Sequence, residues 1–271
     1  MISIICHRAK TKKILIKSAI ILFWLLVWQL VSTFVNQEIL IVSPVRVFQR
    51  ILELAAEAKF WEITLWSFIR ITIGFTAALA VGILLGAITA KFRIIHDLFQ
   101  PIISLIKATP VTSFIMLAFV WISPTGYITT FISFLIVLPV IWANVFEGIK
   151  NTDKNLLEMA EIMSVGKWKI LLKIYTPSVK PYLTAACSVA YAMAWKAGIA
   201  AEVITRPQLS IGREMYYSKI YIETQDLFAW TMIAIIISVI FEKILLRFLK
   251  KGDIRKSKKM RVKAISEVSG V

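Results

Sequence analysis

The chain has 271 residues, 58% of them hydrophobic, and combines a mean hydropathy of +0.76 with a formal charge of +16. So apolar a chain carries that charge only if its basic residues are segregated from the hydrophobic runs, which is the pattern of an integral membrane protein and excludes a soluble globular domain. Two cysteines and two histidines exclude a disulfide framework and leave no Cys/His cluster suited to a metal.

A hydrocarbon core of about 30 Å needs roughly 20 apolar residues at about 1.5 Å each. Six segments meet or approach that length, near residues 14–35, 64–90, 98–122, 128–147, 182–204 and 227–249, which predicts an all-α protein with about six transmembrane helices. The first follows a basic segment, 1–13, that contains Arg8, Lys10, Lys12 and Lys13. It is too long for a signal-peptide core of about 7 to 15 residues, and no small-residue cleavage site follows it, so it reads as a retained anchor. Beyond it, Val45, Phe48, Ile51, Leu52 and Ala55 fall on one face of a short interfacial helix within Pro44–Ala58.

In the second span Gly74, Ala78, Gly82 and Gly86 recur every four residues. This spacing lets a neighbouring backbone come close, and it reads as packing within one bundle ahead of a dedicated dimer seam. Pro101 and Pro110 break up the start of the third span, Pro124 with Gly126 makes a tight turn, and Pro139 implies a kink in the fourth. Cys187 falls inside the fifth span and Cys6 in the basic N-terminal segment, where both read as inert thiols.

Between the fourth and fifth spans lies residues 148–181, too polar for lipid and too patterned for a slack loop. Thr152 or Asp153 is the expected N-cap of a helix carrying Leu156, Leu157, Ala160 and Met163, with Ser164 and Gly166 permitting an exit. A second helix, Lys167 to Tyr175, is expected to stop at Pro177, with Lys167, Lys169 and Lys173 reaching lipid headgroups and Trp168 at the interface. On periodicity alone this stretch is equally an interfacial helix or a docking helix.

The charges set the orientation. Segments 1–17, 91–107, 148–181 and 243–271 hold 24 Lys/Arg, against six in 36–60, 123–127 and 205–226. By the positive-inside rule both termini and the 148–181 loop are cytoplasmic, which requires an even number of spans. Arg206–Asp226 then lies outside, where Arg213, Glu214 and the neighbouring tyrosines suit either contact with a partner or a solvated cap. The tail 250–271 reads as a basic segment against an anionic leaflet.

Ionisable residues within spans are expensive and expected to face the bundle interior or a solute path. Arg70, Lys196 and Glu202 are of this kind, and Trp195 shares a helical face with Glu202 whereas Lys196 does not. Arg70 and Glu202 suit a structural ion pair or snorkelling to the outer interface ahead of a role in the path, whereas Lys196, which lies deeper, suits either. His7 and His96 read as surface or interfacial residues, no nucleophile has a base nearby in sequence, and no G-x-x-x-x-G-K-[ST] run is present to cradle phosphates. The chain therefore holds no catalytic site, metal site or cofactor of its own, and any nucleotide chemistry must come from another subunit.

The order Leu-Leu-Glu-x-Ala at 156–160, a small-residue turn, a basic Trp-containing helix and a closing proline resembles the EAA loop of binding-protein-dependent ABC importer permeases. Val42-Ser43-Pro44, Ser67-Phe68-Ile69-Arg70, Gly74-Phe75, Ala194-Trp195-Lys196 and Ala200-Ala201-Glu202 extend the likeness to the nitrate/sulfonate/taurine branch, over about residues 14–249. The resemblance implies a type I, MetI-like transmembrane domain in the cell (inner) membrane, present in two copies. It further implies an ABC ATPase subunit that binds the ATP and docks on 148–181, and an extracytoplasmic solute-binding protein. Glu158 and Ala160 become letters of the signature, with Met159 in place of its middle alanine and Ser164 at its glycine, where a positive φ costs more than with Gly. The expected coupling residues are Leu156, Leu157, Glu158, Ala160, Met163, Ser164 and Gly166, and the expected path residues are Arg70, Trp195, Lys196 and Glu202.

Two other classes are compatible with six spans. An ion-coupled secondary transporter has no need of the 148–181 insert, and for a membrane-anchored protein using Lys250 to Lys263 on nucleic acid or lipid, such a tail more often marks the cytoplasmic side and an anionic leaflet.

Overall fold

The computed structural model describes the backbone of residues 2–268 and the side chains of residues 15, 16, 18–247 and 249. The side chains of the basic segment 1–13, with Cys6 and His7, and of the tail 250–271 lie outside the described residues. Among the described residues the regular elements are all helical: α1 (Ile2–Val35), α2 (Pro44–Ala56), α3 (Ala58–Lys91), α4 (Arg93–Ala108), α5 (Val111–Trp121) and α6 (Gly126–Lys150), followed by α7 (Lys154–Ile162), α8 (Lys167–Ile170), α9 (Thr176–Thr205), α10 (Ile211–Ile220) and α11 (Thr224–Val268).

Among the described residues five stretches are long and apolar enough to cross a membrane: Ser18–Val35, Ala58–Lys91, Gly126–Lys150, Lys167–Thr205 and Thr224–Arg247. The expected third span is not straight. α4 and α5 meet at 103°, so a sixth span exists only as a broken one. Pro110 is the cause, since it brings no N–H and holds Thr109 in an extended conformation (φ −78, ψ 132) that closes α4. Pro101 and Pro139, by contrast, sit inside α4 and α6 without ending them.

The expected stop at Pro177 is also corrected. α8 continues through a π-helical turn, Leu171–Tyr175, directly into α9. The Thr176 N–H bonds Leu171 O in that wider register, and its hydroxyl donates to the same oxygen at 2.8 Å. The hydrogen-bond ladder is thus already shifted where the proline brings no donor.

The chain divides into two compact units. In residues 1–62 with 214–233, Trp28 Nε1 donates to Val42 O at 3.1 Å and its ring stacks on Phe228. Arg50 forks onto Asp226 at 2.6 and 2.9 Å and also donates to Glu53. Asp226 first, then Glu53, raises the pKa of that guanidinium above its usual value. α2 starts at the Ser43 cap with Pro44 at its first position. It leaves Val45, Phe48 and Leu52 exposed along one face, with Ile51 and Ala55 half-buried beside them.

The other unit, residues 63–213 with 234–271, holds the small-residue seam of α3. Gly74, Ala78, Gly82 and Gly86 are all buried, and three of them seat on α6 of the same chain. A Cβ on Gly74 would stand 2.3 Å from the Thr130 carbonyl oxygen, one on Gly82 2.8 Å from Ile141 Cγ2, and one on Gly86 2.8 Å from Val145 Cβ. Close approach of helices, rather than lipid contact, therefore explains the four-residue spacing. Gly74→Ala is expected to cost about 1–3 kcal/mol by overpacking against backbone that has no rotamer to give. The midpoint of thermal unfolding of the detergent-solubilised chain measures this, and an unchanged midpoint contradicts it. α5, α6 and α9 then close around Ile115, Ala118, Ile128, Ile132, Ala197 and Ala201.

Candidate functional site

α7 opens as expected at Asp153, whose Oδ1 accepts from the Asn155 N–H at 2.9 Å, whereas Thr152 is buried with its hydroxyl on Gly148 O. The helix has two apolar sides with different destinations. Ala160 is buried and Leu157 half-buried within the chain. Leu156, Met159, Ile162 and Met163 stand out at 49, 58, 85 and 66% exposure, a ridge at the i, i+3, i+6 and i+7 positions. Trp168, Leu171 and Leu172 extend the exposed apolar surface, while Glu158 is exposed beside the ridge. Of the residues expected to couple, Leu156 and Met163 are thus on the outward side and Leu157 and Ala160 on the inward one. Met159 and Ile162 were not expected there. Their i+3 and i+6 spacing from Leu156 was the available signal, but sequence alone does not say which apolar side faces away.

The exit from α7 is a Schellman turn. The Ser164 N–H bonds Glu161 O, and the Val165 N–H bonds Ala160 O, both at 2.9 Å. Ser164 takes the left-handed conformation, φ 51, which is the strained state anticipated for a serine at the signature's glycine. Gly166 has an ordinary φ of −59 and caps α8, and a Cβ there would meet nothing within 4 Å. Left-handed backbone costs a residue with a Cβ about 1–2 kcal/mol. Ser164→Gly is accordingly expected to steady the turn and slow hydrogen exchange of the 160–165 amides by about fivefold, the equivalent of about 1 kcal/mol. Faster or unchanged exchange contradicts this.

A buried charge cluster lies at the C-terminal end of α9. Glu202 is 0% exposed, and its Oε2 accepts from Ser67 Oγ at 2.7 Å and from the Gly212 N–H at 3.3 Å. Arg70 Nη1 approaches Glu202 Oε1 at 3.5 Å, an electrostatic contact, while its hydrogen bonds go to Leu209 O at 3.0 Å and Gln208 O at 2.9 Å. Ser67 Oγ in turn accepts from the Ile211 N–H at 2.9 Å. The pair therefore pins residues 206–212, where Arg206 and Leu209 both have positive φ, onto α3 and α9. Ser67 and the 208–212 backbone are partners that sequence reasoning missed, because carbonyls and amides carry no residue-type signal.

Trp195 is buried in an aromatic group with Phe68 and Tyr191. Lys196, the next residue, is exposed on the opposite side of α9 and has no ion-pair partner among the described residues. It lies within the Lys167–Thr205 stretch, roughly 14 Å from the C-terminal end of α9 at about 1.5 Å per residue. A charge at that depth facing lipid costs about 2.5–3.5 kcal/mol. His96 stacks on Trp142 and Phe146, with Nδ1 3.1 Å from Asp97, and no group of three or more His, Cys, Asp or Glu suited to a metal occurs among the described residues.

The chain as a whole matches a known group of proteins. A family model described as binding-protein-dependent transport system inner membrane component matches residues 78–251. The chain is 25% identical over 217 residues to the bicarbonate transport system permease protein CmpB of Synechococcus elongatus, covering 76% of this chain and 77% of that protein. It is 24% identical over 207 residues to the nitrate import permease protein NrtB of Leptolyngbya laminosa, covering 72% and 73%. Its fold is similar to that of a solved chain of the MetNI methionine ABC transporter in an inward-facing conformation. The TM-score is 0.54 at 15% identity, over 70% of this chain and 93% of that one.

Proposed function

Since this chain belongs to the family of inner membrane components of binding-protein-dependent transport systems, we propose that it is the permease subunit of an importer whose ABC ATPase is a separate chain docked on the α7 ridge. The exposed row of Leu156, Met159, Ile162 and Met163 carries this reading. Three large apolar side chains on a nine-residue helix and a fourth at its C-cap, flanked by lysines, gain little from water and suit a groove on a partner. The chain has no phosphate-cradling loop, so ATP is bound by that partner.

Permeases named for bicarbonate and nitrate are among its relatives, which supports a small anion as solute, delivered by an extracytoplasmic binding protein. Both termini and residues 148–181 then face the cytoplasm of a cell membrane. Two copies of the chain enclose the path and 14–249 forms the transmembrane domain. ATP-driven closure of the ATPase pair pulls the α7 helices together, and the spans exchange between two packings that open the path to alternate sides. Reconstitution with the ATPase and binding protein tests this reading. ATP-dependent nitrate or bicarbonate uptake supports it, and uptake driven by an ion gradient without ATP overturns it.

A further inference from the structure

One face of α9 is left uncovered by the described residues. Tyr182, Ala185, Val189, Met193 and Lys196 follow one another at three- and four-residue steps, and all are exposed, while from Ala186 onward the other residues of the helix are buried or half-buried. Four of the five are compatible with lipid. Lys196 is not, because it sits within a membrane-spanning stretch, roughly 14 Å inside its C-terminal end at about 1.5 Å per residue, deeper than its side chain reaches. Arg70 and Glu202, the other ionisable residues expected to be buried, answer one another. Lys196 has no such answer among the described residues.

We propose that this face of α9 lines a water-filled solute path and that Lys196 is the residue that selects anions in it. The proposal rests on the importer reading for the second wall of the path, which another copy of the chain supplies. A hydrated ammonium projecting from each copy within the span offers a positive field to a small anion while Met193 and Val189 keep the wall otherwise apolar. Arg70 and Trp195, one turned to a backbone segment and the other into an aromatic core, have no part in that wall.

The test uses the assembled importer with nitrate as probe. Lys196→Gln is expected to raise the KM for uptake at least tenfold, Lys196→Glu to abolish uptake, and Lys196→Arg to stay within threefold, all with ATPase co-purification unchanged. In a Cys6→Ser/Cys187→Ala background, Lys196→Cys is expected to react with a membrane-impermeant anionic thiol reagent, and nitrate is expected to slow that reaction. Wild-type KM in Lys196→Gln overturns the proposal, as does a cysteine at 196 that stays unreactive. If the wild-type assembly itself shows no ATP-dependent uptake of either nitrate or bicarbonate, the importer reading has failed, and the cysteine reactivity still decides whether the face meets water.

Discussion

Replacing Leu156 and Met163 together with aspartate is expected to abolish co-purification of the ATPase subunit while leaving the spans folded. Both side chains project from the chain, at 49 and 66% exposure, and neither makes a contact on which α7 depends. The helix is held instead by the Asp153 cap, the buried Ala160 and the Schellman bonds at its exit, none of which the substitutions touch. The carboxylates would have to be desolvated in an apolar groove without partners, and interface anchors of this kind cost about 2–4 kcal/mol each when lost. Two such losses weaken binding by well over a hundredfold, since each 1.4 kcal/mol is a factor of ten. Pull-down of the tagged chain measures this, with thermal unfolding as the control. Ala160→Arg is a poorer probe, because its site is buried and the variant would damage α7 itself. Retained ATPase in the double aspartate variant would remove the ridge from the interface.

Arg70→Met is expected to be the most destabilising single change in the charge cluster. It leaves the Glu202 carboxylate fully buried with only Ser67 and the Gly212 N–H to hold it, and it orphans the carbonyls of Gln208 and Leu209. Removing one partner of a buried pair costs about 3–5 kcal/mol, much of it the penalty of the charge left behind. Adding Glu202→Gln removes that charge while keeping an oxygen for Ser67 and Gly212, so the double variant is expected to recover at least half of the loss, the coupling read from a double-mutant cycle. Should Arg70→Met melt like the wild type yet fail to transport, Arg70 acts on the solute and not on residues 206–212.

How much of this was legible in the sequence depends on what each element answers to. Spans α1, α3, α6, α9 and α11 follow from apolar length alone, and the α3 glycines from their spacing. The bend at Thr109–Pro110 was marked by proline, but Pro101, Pro139 and Pro177 carried the same mark without ending their helices. A proline's effect depends on whether neighbouring turns re-satisfy the freed carbonyl, which the residue itself does not announce. In the candidate site, a cap at Thr152 or Asp153 was readable because caps are local chemistry, and the left-handed Ser164 through the family resemblance that puts a glycine there. The partition of α7 into an inward Leu157/Ala160 side and an outward Leu156/Met159/Met163 side was not, because both are apolar and only the tertiary contacts choose between them. Likewise Arg70 and Glu202 were visible as costly charges, whereas the backbone segment they hold was invisible until the chain was folded.

A photo-activatable cross-linker placed at Met159, in cells carrying the complete transport system, tests the docking of a separate ATPase most directly. The ridge reading predicts an adduct with a nucleotide-binding subunit, formed from the cytoplasmic side and lost in the Leu156/Met163 aspartate variant. Adducts with lipid alone, or labelling of position 159 by an impermeant reagent added outside the cell, would contradict it.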